Sequence, residues 1–413
     1  MITVEDQLTH VLAGLEPLGT EELPLAAALG RTLAVDLRSR TDIPVFDNSA
    51  MDGFAVRHHD VAHASPEHPV TLEVVADLPA GSAEDPPLAP GTAARIMTGA
   101  PVPTEADAIV PVEHTDGFGA DAGAATTRVT ITTAPRPAAH IRRTGEDLSA
   151  GDVVLTAGSV LSPRHLSAAA AAGHPTLTVH RAPRVAVLAT GSELVPPGQP
   201  LGRGQIPESN STLLAALVVE AGASVERAVT VPDDDDALRA ELAAAVEAGV
   251  DLVVLSGGVS VGAYDVTKAV LAPLGGIDFV SVAMQPGKPQ AFGRLPGGTP
   301  VFGLPGNPVS ACVSFEVFVR PALARLAGRT QLTRRMLSAQ VSDGWRTPPG
   351  RQQYMPVVLE AGPAGLTARP ATRGGSGSHL VGGLAAADGF AVVGADVTEV
   401  RRGDTVGVML VTP

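Results

Sequence analysis

The side chains that can do chemistry in this chain gather beside glycines. The apolar run RVAVLATG (184–191) is followed by TGSEL, which carries Gly191 and Glu193. A second apolar run, VDLVVLSGG (250–258), ends in Ser256, Gly257 and Gly258 and leads through SGGVSVGAYD to Asp265. QPGKP places Lys288 between two prolines, and GLPGNPVS sets Gly306 and Asn307 before Pro308. Glycines let backbone N–H groups approach a ligand closely. A helix that starts just after such a turn offers free N–H groups to an anion. Lys288 adds a compact positive charge for a phosphate or oxyanion. Asp, Glu and Thr near glycines suit a hydrated divalent cation that bridges protein and phosphate oxygens, and magnesium takes only one or two direct carboxylates in such sites. Each piece also has an ordinary reading. TGSEL can be a capped turn, SGG a strand-to-helix turn, Lys288 a solvated side chain, and Asn307-Pro308 a helix cap with proline in the first turn. A further segment, PVFDNSAMDGFAV (44–56), sets Asp47, Asn48, Ser49 and Asp52 among Phe46, Met51 and Phe54. It reads equally as a surface turn or as ligand groups aimed by packed neighbours.

These groups need a scaffold that brings distant turns to one edge. RVAVLATG, SVERAVTV (224–231), VDLVVLSGG and FVSVAM (279–284) read as strands, and FGRL with PVFGLPG as a hairpin. Helices are expected at 211–221, after Asp233–Asp236, at 266–272 and over 307–328. Continuous apolar strands alternating with helices predict a three-layer α/β domain with a mainly parallel sheet. In such domains the ligand crevice lies beyond the carboxyl ends of the strands, where the glycine turns fall. The acid run Asp233–Asp236 reads as a solvated helix start, with acids at the positive end of the dipole. There is no GxxxxGK[ST] sequence, and the glycines after RVAVLAT do not follow GxGxxG, so neither common nucleotide fingerprint is present.

The rest of the chain has other patterns. Residues 5–16 have helical spacing, with Leu8, Val11, Leu12 and Leu15 on one face, and 21–35 read as a second short helix. Residues 44–146 read as a small β-rich domain with a loose loop at 119–127. Ser162-Pro163 starts a short Ala-rich helix that Gly173 stops. Residues 329–413 suit a small β domain or barrel. A length of 413 residues predicts two to four domains. The net charge of −14 argues against bulk nucleic-acid or anionic-membrane binding. Cys312 is the sole cysteine, so no intrachain disulfide or zinc knuckle is possible. No apolar run approaches a spanning helix, and the N-terminus does not read as a signal peptide, so a soluble cytoplasmic protein is expected. His58, His59, His63 and His68 read as surface residues around a loop.

Taken in order, these stretches resemble the molybdopterin molybdotransferase family of molybdenum cofactor biosynthesis, which includes the cofactor-synthesis domain of gephyrin. The matching pieces are DNSAMDGFAV (47–56), RIMTGAPVP (95–103), ADAIVPVE (106–113), IRRTGEDL (141–148), TGSEL (190–194) and ESNS (208–211). They continue with SGGVSVGAYD (256–265), QPGKP (285–289), GLPGNPVSA (303–311) and GSGSHL (375–380). The resemblance implies insertion of molybdate into adenylylated molybdopterin with release of AMP, assisted by Mg2+ or another divalent cation. It implies a homodimer whose active site is composite, DNSAMDG of one subunit facing the α/β domain of the other. Transient contact with molybdopterin adenylyltransferase or with cofactor-accepting enzymes is a further implied partnership. The implied domains are a discontinuous linking domain (1–44 with 147–180), a β-rich insertion (45–146), the molybdopterin-binding α/β domain (181–328) and a C-terminal β-barrel-like domain (329–413).

By motif, the resemblance carries functional roles to Asp52, Thr98, Asp147, Glu193, Asp265 and Lys288. It carries a further aspartate to Asp233 or Asp234, the run of acids leaving the register open, and a serine to Ser376 or Ser378. The metal set implied is Asp52, Glu193, Asp233 and Asp265; the cofactor set adds Gly191, Ser256, Gly257, Gly258, Gly306 and Asn307. Many relatives have Asp where this chain has Ser192 and Glu208, which alters the metal shell the resemblance implies. Rival readings are a relative that adenylylates molybdopterin and a non-catalytic scaffold.

Overall fold

A computed structural model describes residues 1–117, 127–259, 266–363, 365–373 and 375–411. The expected α/β unit is present, and alternation along its strands shows why it has three layers. The sheet runs in the order Ser224–Val231, Arg184–Thr190, Leu252–Ser256, Pro300–Leu304, Pro289–Arg294, Ile277–Ser281. The first members pair in parallel, and the last two join antiparallel, the Pro289 and Pro300 strands forming the expected hairpin. Side chains alternate faces along a strand. Val185, Val187, Leu252 and Val254 pack on one side against Leu214, Val218, Val313 and Phe318. Ala186, Leu188, Val253 and Leu255 pack on the other against Leu238, Leu242 and Val270. Both faces are apolar, so the strands read as continuous runs. Each fully buried Val or Leu contributes about 1.5–3 kcal/mol.

The helix expected at 307–328 is one rod with a defect. It runs as α-helix over Pro308–Ser314, widens to a π turn over Phe315–Val319, and resumes as α-helix over Arg320–Leu326. Pro321 accounts for the widening. It has no N–H for the carbonyl four residues back, and its ring crowds that carbonyl. The π turn carries Glu316, whose side chain is fully buried. Glu316 accepts from Arg320 Nε at 2.6 Å and from Arg334 Nε at 2.9 Å. Glu220, at the end of helix Asn210–Glu220, accepts from Arg334 Nη2 at 2.5 Å. This cluster joins two helices to the segment that enters the C-terminal unit.

That unit is a closed barrel. Strands Met336–Val341, Gly365–Pro370, Gln352–Gly362, Gly389–Val393 and Thr405–Leu410 pair around a full ring. Met284–Gln285 adds in parallel to the start of the Gln352 strand, tying the segment before Lys288 to the barrel. Residues 45–146 hold a five-stranded sheet ordered Ala108–Pro111, Gly53–Val56, Thr92–Ile96, Val70–Leu78, Arg128–Ile131. The loop expected at 119–127 lies, except for Thr127, outside the described residues. His58 opens a short helix, His58–Val61, rather than lying in a loop.

The N-terminal helix is Val4–Leu12, capped by Thr3, and its Val4 and Val11 enter the α/β core. The second helix expected at 21–35 does not form. Thr20–Pro24 is a strand paired antiparallel with Thr176–His180, followed only by a 3₁₀ turn, Leu25–Ala27. Pro24 disfavours a helical Leu23, and pairing with a distant strand overrides the helix preference of the alanines. Around it Ala28, Leu33 and Leu37 pack with Leu155, Leu161 and Val179. Among the described residues no helix is long and apolar enough to cross a membrane.

Glu316→Ala leaves two guanidinium groups facing each other in a water-poor pocket. Removing one partner of such a cluster costs about 3–5 kcal/mol. Urea unfolding should show a loss of that order, and a much smaller one for Glu220→Ala, whose side chain is 36% exposed. An unchanged midpoint for Glu316→Ala would mean the cluster contributes nothing.

Candidate active site

The carboxyl ends of the parallel strands open onto a cavity of about 480 Å³, walled by Gly191, Glu193, Asn210, Asp233, Ser256 and Gly257 among others. Glycine is required at two of these turns. At Gly257 (φ +103°) a Cβ would lie 2.5 Å from the Thr190 carbonyl oxygen, so the SGG turn presses on the TG turn with no room for a side chain. Thr267 Oγ1 donates to the Gly257 carbonyl at 3.0 Å and holds the turn from beneath. Gly191 has φ +155°, a backbone region that side chains rarely adopt, and a Cβ there would also displace Glu193, whose Oε2 lies 2.6 Å from that position.

The four aspartates separate by role. Asp233 lines the cavity, where its Oδ2 accepts from the Ser192 N–H at 2.8 Å and its own N–H donates to Ser192 Oγ at 3.0 Å. Asp234 caps the next helix, accepting from the Ala237 N–H at 2.7 Å. Asp235 and Asp236 pair with Arg239 on the surface. Ser192, where an aspartate is common in the resemblance, thus fixes Asp233. Glu208 is buried and accepts from the N–H and hydroxyl of Ser211. It holds the first turn of helix Asn210–Glu220 from outside the N-cap, Ser209, and does not line the cavity.

Asn210 went unnoticed in the sequence as a site residue. Its Nδ2 donates to Ser256 Oγ at 2.9 Å and to the Gly306 carbonyl at 2.6 Å. A carbonyl only accepts, so it fixes which end of the amide faces it. Oδ1 is left buried with no partner. The signal available was its place inside ESNS, one residue before the helix expected at 211–221.

A second cavity of about 260 Å³ shares Gly258, Gly306 and Asn307 with the first and reaches Lys288 and Ser378. The lysine's loop is pinned from within. The buried Gln290 donates its Nε2 to the Gly287 carbonyl and to Ser314 Oγ, both at 2.6 Å. Asn307 holds the N-cap position and Pro308 the first turn, as expected, but the Asn307 side chain makes no capping bond. Its Nδ2 donates instead to Ser378 Oγ at 3.0 Å, across to the barrel. Ser376 accepts from Gln353 Nε2 at 2.9 Å and lines neither cavity.

Asp52, Thr98 and Asp147 also line neither cavity. Asp52 and Thr98 form one unit, the Thr98 N–H and hydroxyl both donating to Asp52 Oδ1 at 2.7 Å. The Thr98 N–H is the main cause that holds the Asp52 carboxyl below its ordinary range, and the hydroxyl adds to it. Asp47 is held lower likewise, chiefly by the Thr144 N–H, and pairs with Arg143 at 2.5 Å. Asp147 is exposed on the turn that returns to Ile43. Asp265 lies outside the described residues. Among the described residues no three His, Cys, Asp or Glu side chains gather as a metal cluster. Glu193 and Asp233 are the carboxylates that share a cavity.

Strand-end glycine turns, two helix starts and a lysine surround the joined cavities of an α/β unit that a barrel flanks through the Asn307–Ser378 bond. Residues 186–325 match the family described as "Probable molybdopterin binding domain". Residues 2–173 match the "MoeA N-terminal region (domain I and II)" and 338–411 the "MoeA C-terminal region (domain IV)". The chain is 47% identical over 390 residues to molybdopterin molybdenumtransferase 2 of Mycobacterium tuberculosis, covering 92% of each chain. It is 43% identical over 312 residues to molybdopterin molybdenumtransferase of a Nostoc species, covering 75% of this chain and 70% of that one. A crystal structure of a molybdopterin biosynthesis MoeA protein from Pyrococcus horikoshii superposes with a TM-score of 0.81 at 33% identity over 100% of both chains. The chain belongs to the molybdopterin molybdenumtransferase family, transferases of molybdenum cofactor biosynthesis.

Thr98→Ala removes the lesser of the two bonds to Asp52 and keeps the N–H. The Asp52 pKa should rise yet stay below its ordinary value of 3.8. A depressed carboxyl contributes stability above that value and loses it as pH falls through the folded pKa, so the variant should lose part of this contribution near neutrality. Carboxyl carbon shifts followed through an acid titration measure the change; an identical Asp52 titration in both proteins would refute the assignment.

Proposed function

We propose that the protein inserts molybdate into adenylylated molybdopterin and releases AMP. The observation that carries this reading is the joined pair of cavities, with carboxylates in one lobe and Lys288 in the other. A phosphoanhydride-bearing substrate needs its charge offset along its length. The backbone at Gly258 and at Ser310, in the first turn of the 308–326 helix, offers donors to phosphate oxygens, and Lys288 neutralises them. The Asn307–Ser378 bond holds the barrel loop over the second lobe. A water attacks the phosphorus on the molybdopterin side and gives up its proton, the phosphoanhydride bond breaks with AMP leaving on the bridging oxygen, and molybdopterin keeps its phosphate as a monoester; orientation of the phosphate supplies much of the gain.

The acidic lobe fits a divalent cation such as Mg2+. Glu193 and Asp233 face the same space, and magnesium takes one or two carboxylates and keeps its waters. Such a cation supplies charge stabilisation at phosphate oxygens. Asp233 is pre-set for it by the Ser192 N–H, which aims the carboxylate before any ligand arrives.

The Asp52–Thr98 unit belongs to the same site through a second subunit. It lines neither cavity of its own chain, and Thr98 holds one carboxylate oxygen while the other accepts no bond among the described residues. On this reading the active protein is a cytoplasmic homodimer with two composite sites, its subunits divided as 1–44 with 147–180, 45–146, 181–328 and 329–413.

Incubation with adenylylated molybdopterin, molybdate and magnesium should release AMP and yield active cofactor; adenylylation of free molybdopterin from ATP in its place would overturn the reading. Mixed dimers of Asp52→Asn with Glu193→Gln subunits should recover up to one intact site, whereas either variant alone should have little turnover. Mixed dimers no more active than the parents would remove the shared site.

Lys288→Ala should weaken binding of the adenylylated substrate, with the difference from wild type shrinking as salt rises. Lys288→Arg should recover only part, since a planar fork replaces a point charge. Calorimetry at low and high salt reads both, and equal affinity of Lys288→Ala and wild type at low salt would return this lysine to the solvated surface.

A further inference from the structure

The barrel holds a cavity of its own, about 460 Å³, walled by Asp343, Trp345, Arg369, Thr372 and Arg373 among others. Its polar groups are not used up in packing. Arg369 gives its Nε to Glu360 at 3.0 Å. Arg373 and Asp343 are exposed and make no ion pair or hydrogen bond among the described residues. The Thr372 hydroxyl is buried without a partner, a condition that is costly unless a group arrives to relieve it. Trp345 is held by its edge. Its Nε1–H donates to Gln353 Oε1 at 2.9 Å, and Gln353 Nε2 donates onward to Ser376 Oγ at 2.9 Å. At Gly344 a Cβ would lie 2.6 Å from the Val400 carbonyl oxygen, so the strand that seats the indole passes there without a side chain. With its nitrogen satisfied from one side, the indole is a rigid flat wall.

We propose that this cavity binds a flat nitrogen heterocycle with an anionic tail, the ring against Trp345, the tail at Arg373 and a donor edge at Asp343. The volume suits a ligand of that size, and a guanidinium holds a carboxylate or phosphate with paired N–H donors. The carboxylate selects among heterocycles. Its two oxygens accept side by side, which matches an amino group next to a ring N–H, the edge a pterin presents. Adenine sets an acceptor nitrogen beside its amino group and repels the second oxygen. The site therefore prefers a pterin to an adenine nucleotide. It is separate from the joined cavities and needs none of the steps proposed for them, though Gln353 and Ser376 link its wall to the loop that carries Ser378.

The test is binding, read without turnover. The full-length protein is titrated with 6-carboxypterin or with AMP by calorimetry, with the emission of Trp345, the sole tryptophan, recorded in parallel. The Lys288→Ala variant is used in both arms, so that occupancy of the joined cavities does not dominate. Saturable heat with a change in Trp345 emission is expected for 6-carboxypterin, and weaker binding for AMP. Arg373→Ala should lower the pterin affinity about tenfold, and Asp343→Asn should erase the preference over AMP. Both positions are exposed, so folding is preserved. No saturable heat with 6-carboxypterin, or an affinity unchanged in both variants, would overturn the proposal. AMP tighter than the pterin would overturn the selection by Asp343. AMP release, assayed separately, stands or falls independently of these results.

Discussion

A methyl group on Gly257 would lie 2.5 Å from the Thr190 carbonyl oxygen and 2.8 Å from its hydroxyl. That approach sets the floor of the site. Two parallel strands, buried on both faces, deliver their carboxyl ends side by side, and only glycine lets the second turn lie flat on the first. The cavity is what remains above this contact. A side chain at 257 would lift the SGG turn, take Gly258 with it and separate the two lobes that Gly258 joins. The sheet can stay rigid because its strands are apolar on both sides; the turns can crowd because they carry almost no side chain.

The helices carry the same constraint outward. Asn210 and Asn307 stand at the starts of two helices, and both use their amides across the site rather than to cap their own helix. Asn210 reaches Ser256 and Gly306, and Asn307 reaches Ser378 in the barrel. Such bonds need the helix starts to be fixed relative to each other. The far ends are fixed by Glu316, Arg320, Arg334 and Glu220. Buried ions of this kind give little net stability, but they have few alternative pairings. Arg334 precedes the first barrel strand, so the cluster also sets the entry of the unit that brings Ser378. The π turn forced by Pro321 lies in the same stretch as Glu316, so the helix departs from regular geometry where this junction is made.

The α/β fold and the edge bearing the site were legible in the sequence because local pattern and burial agree there. Unbroken apolar strands mean two covered faces, and glycine after a strand marks the ligand edge. The misreading at 21–35 came from the opposite case. Its leucines and alanines favour helix locally, but Thr20–Pro24 finds a partner in Thr176–His180, far along the chain. Within the site, identity was harder to read than position. Four adjacent aspartates look alike until one turns to Ser192 and the next caps a helix. Ser376 and Ser378 differ by which neighbour each meets, Gln353 or Asn307. Asn210 gave no chemical signal because an asparagine at a helix start is ordinary; its distinction is an amide oriented by a carbonyl from another turn.

The division of charge between the lobes bears on how anions enter. A singly charged oxyanion 4 Å from one carboxylate is repelled by about 4 kcal/mol near a protein surface. Glu193 and Asp233 together therefore disfavour a bare anion in the first lobe, less so where solvent screens these exposed carboxylates. The second lobe has Lys288, the Asn307 amide and none of the described carboxylates among its lining residues. An anionic ligand that spans both must meet the acidic lobe either with a cation in place or with a part that carries no charge. On the proposed reading, a cation between the carboxylates and the phosphate turns the repulsive lobe into an attractive one. On that reading the cation and the phosphate each favour the other's binding, whichever arrives first.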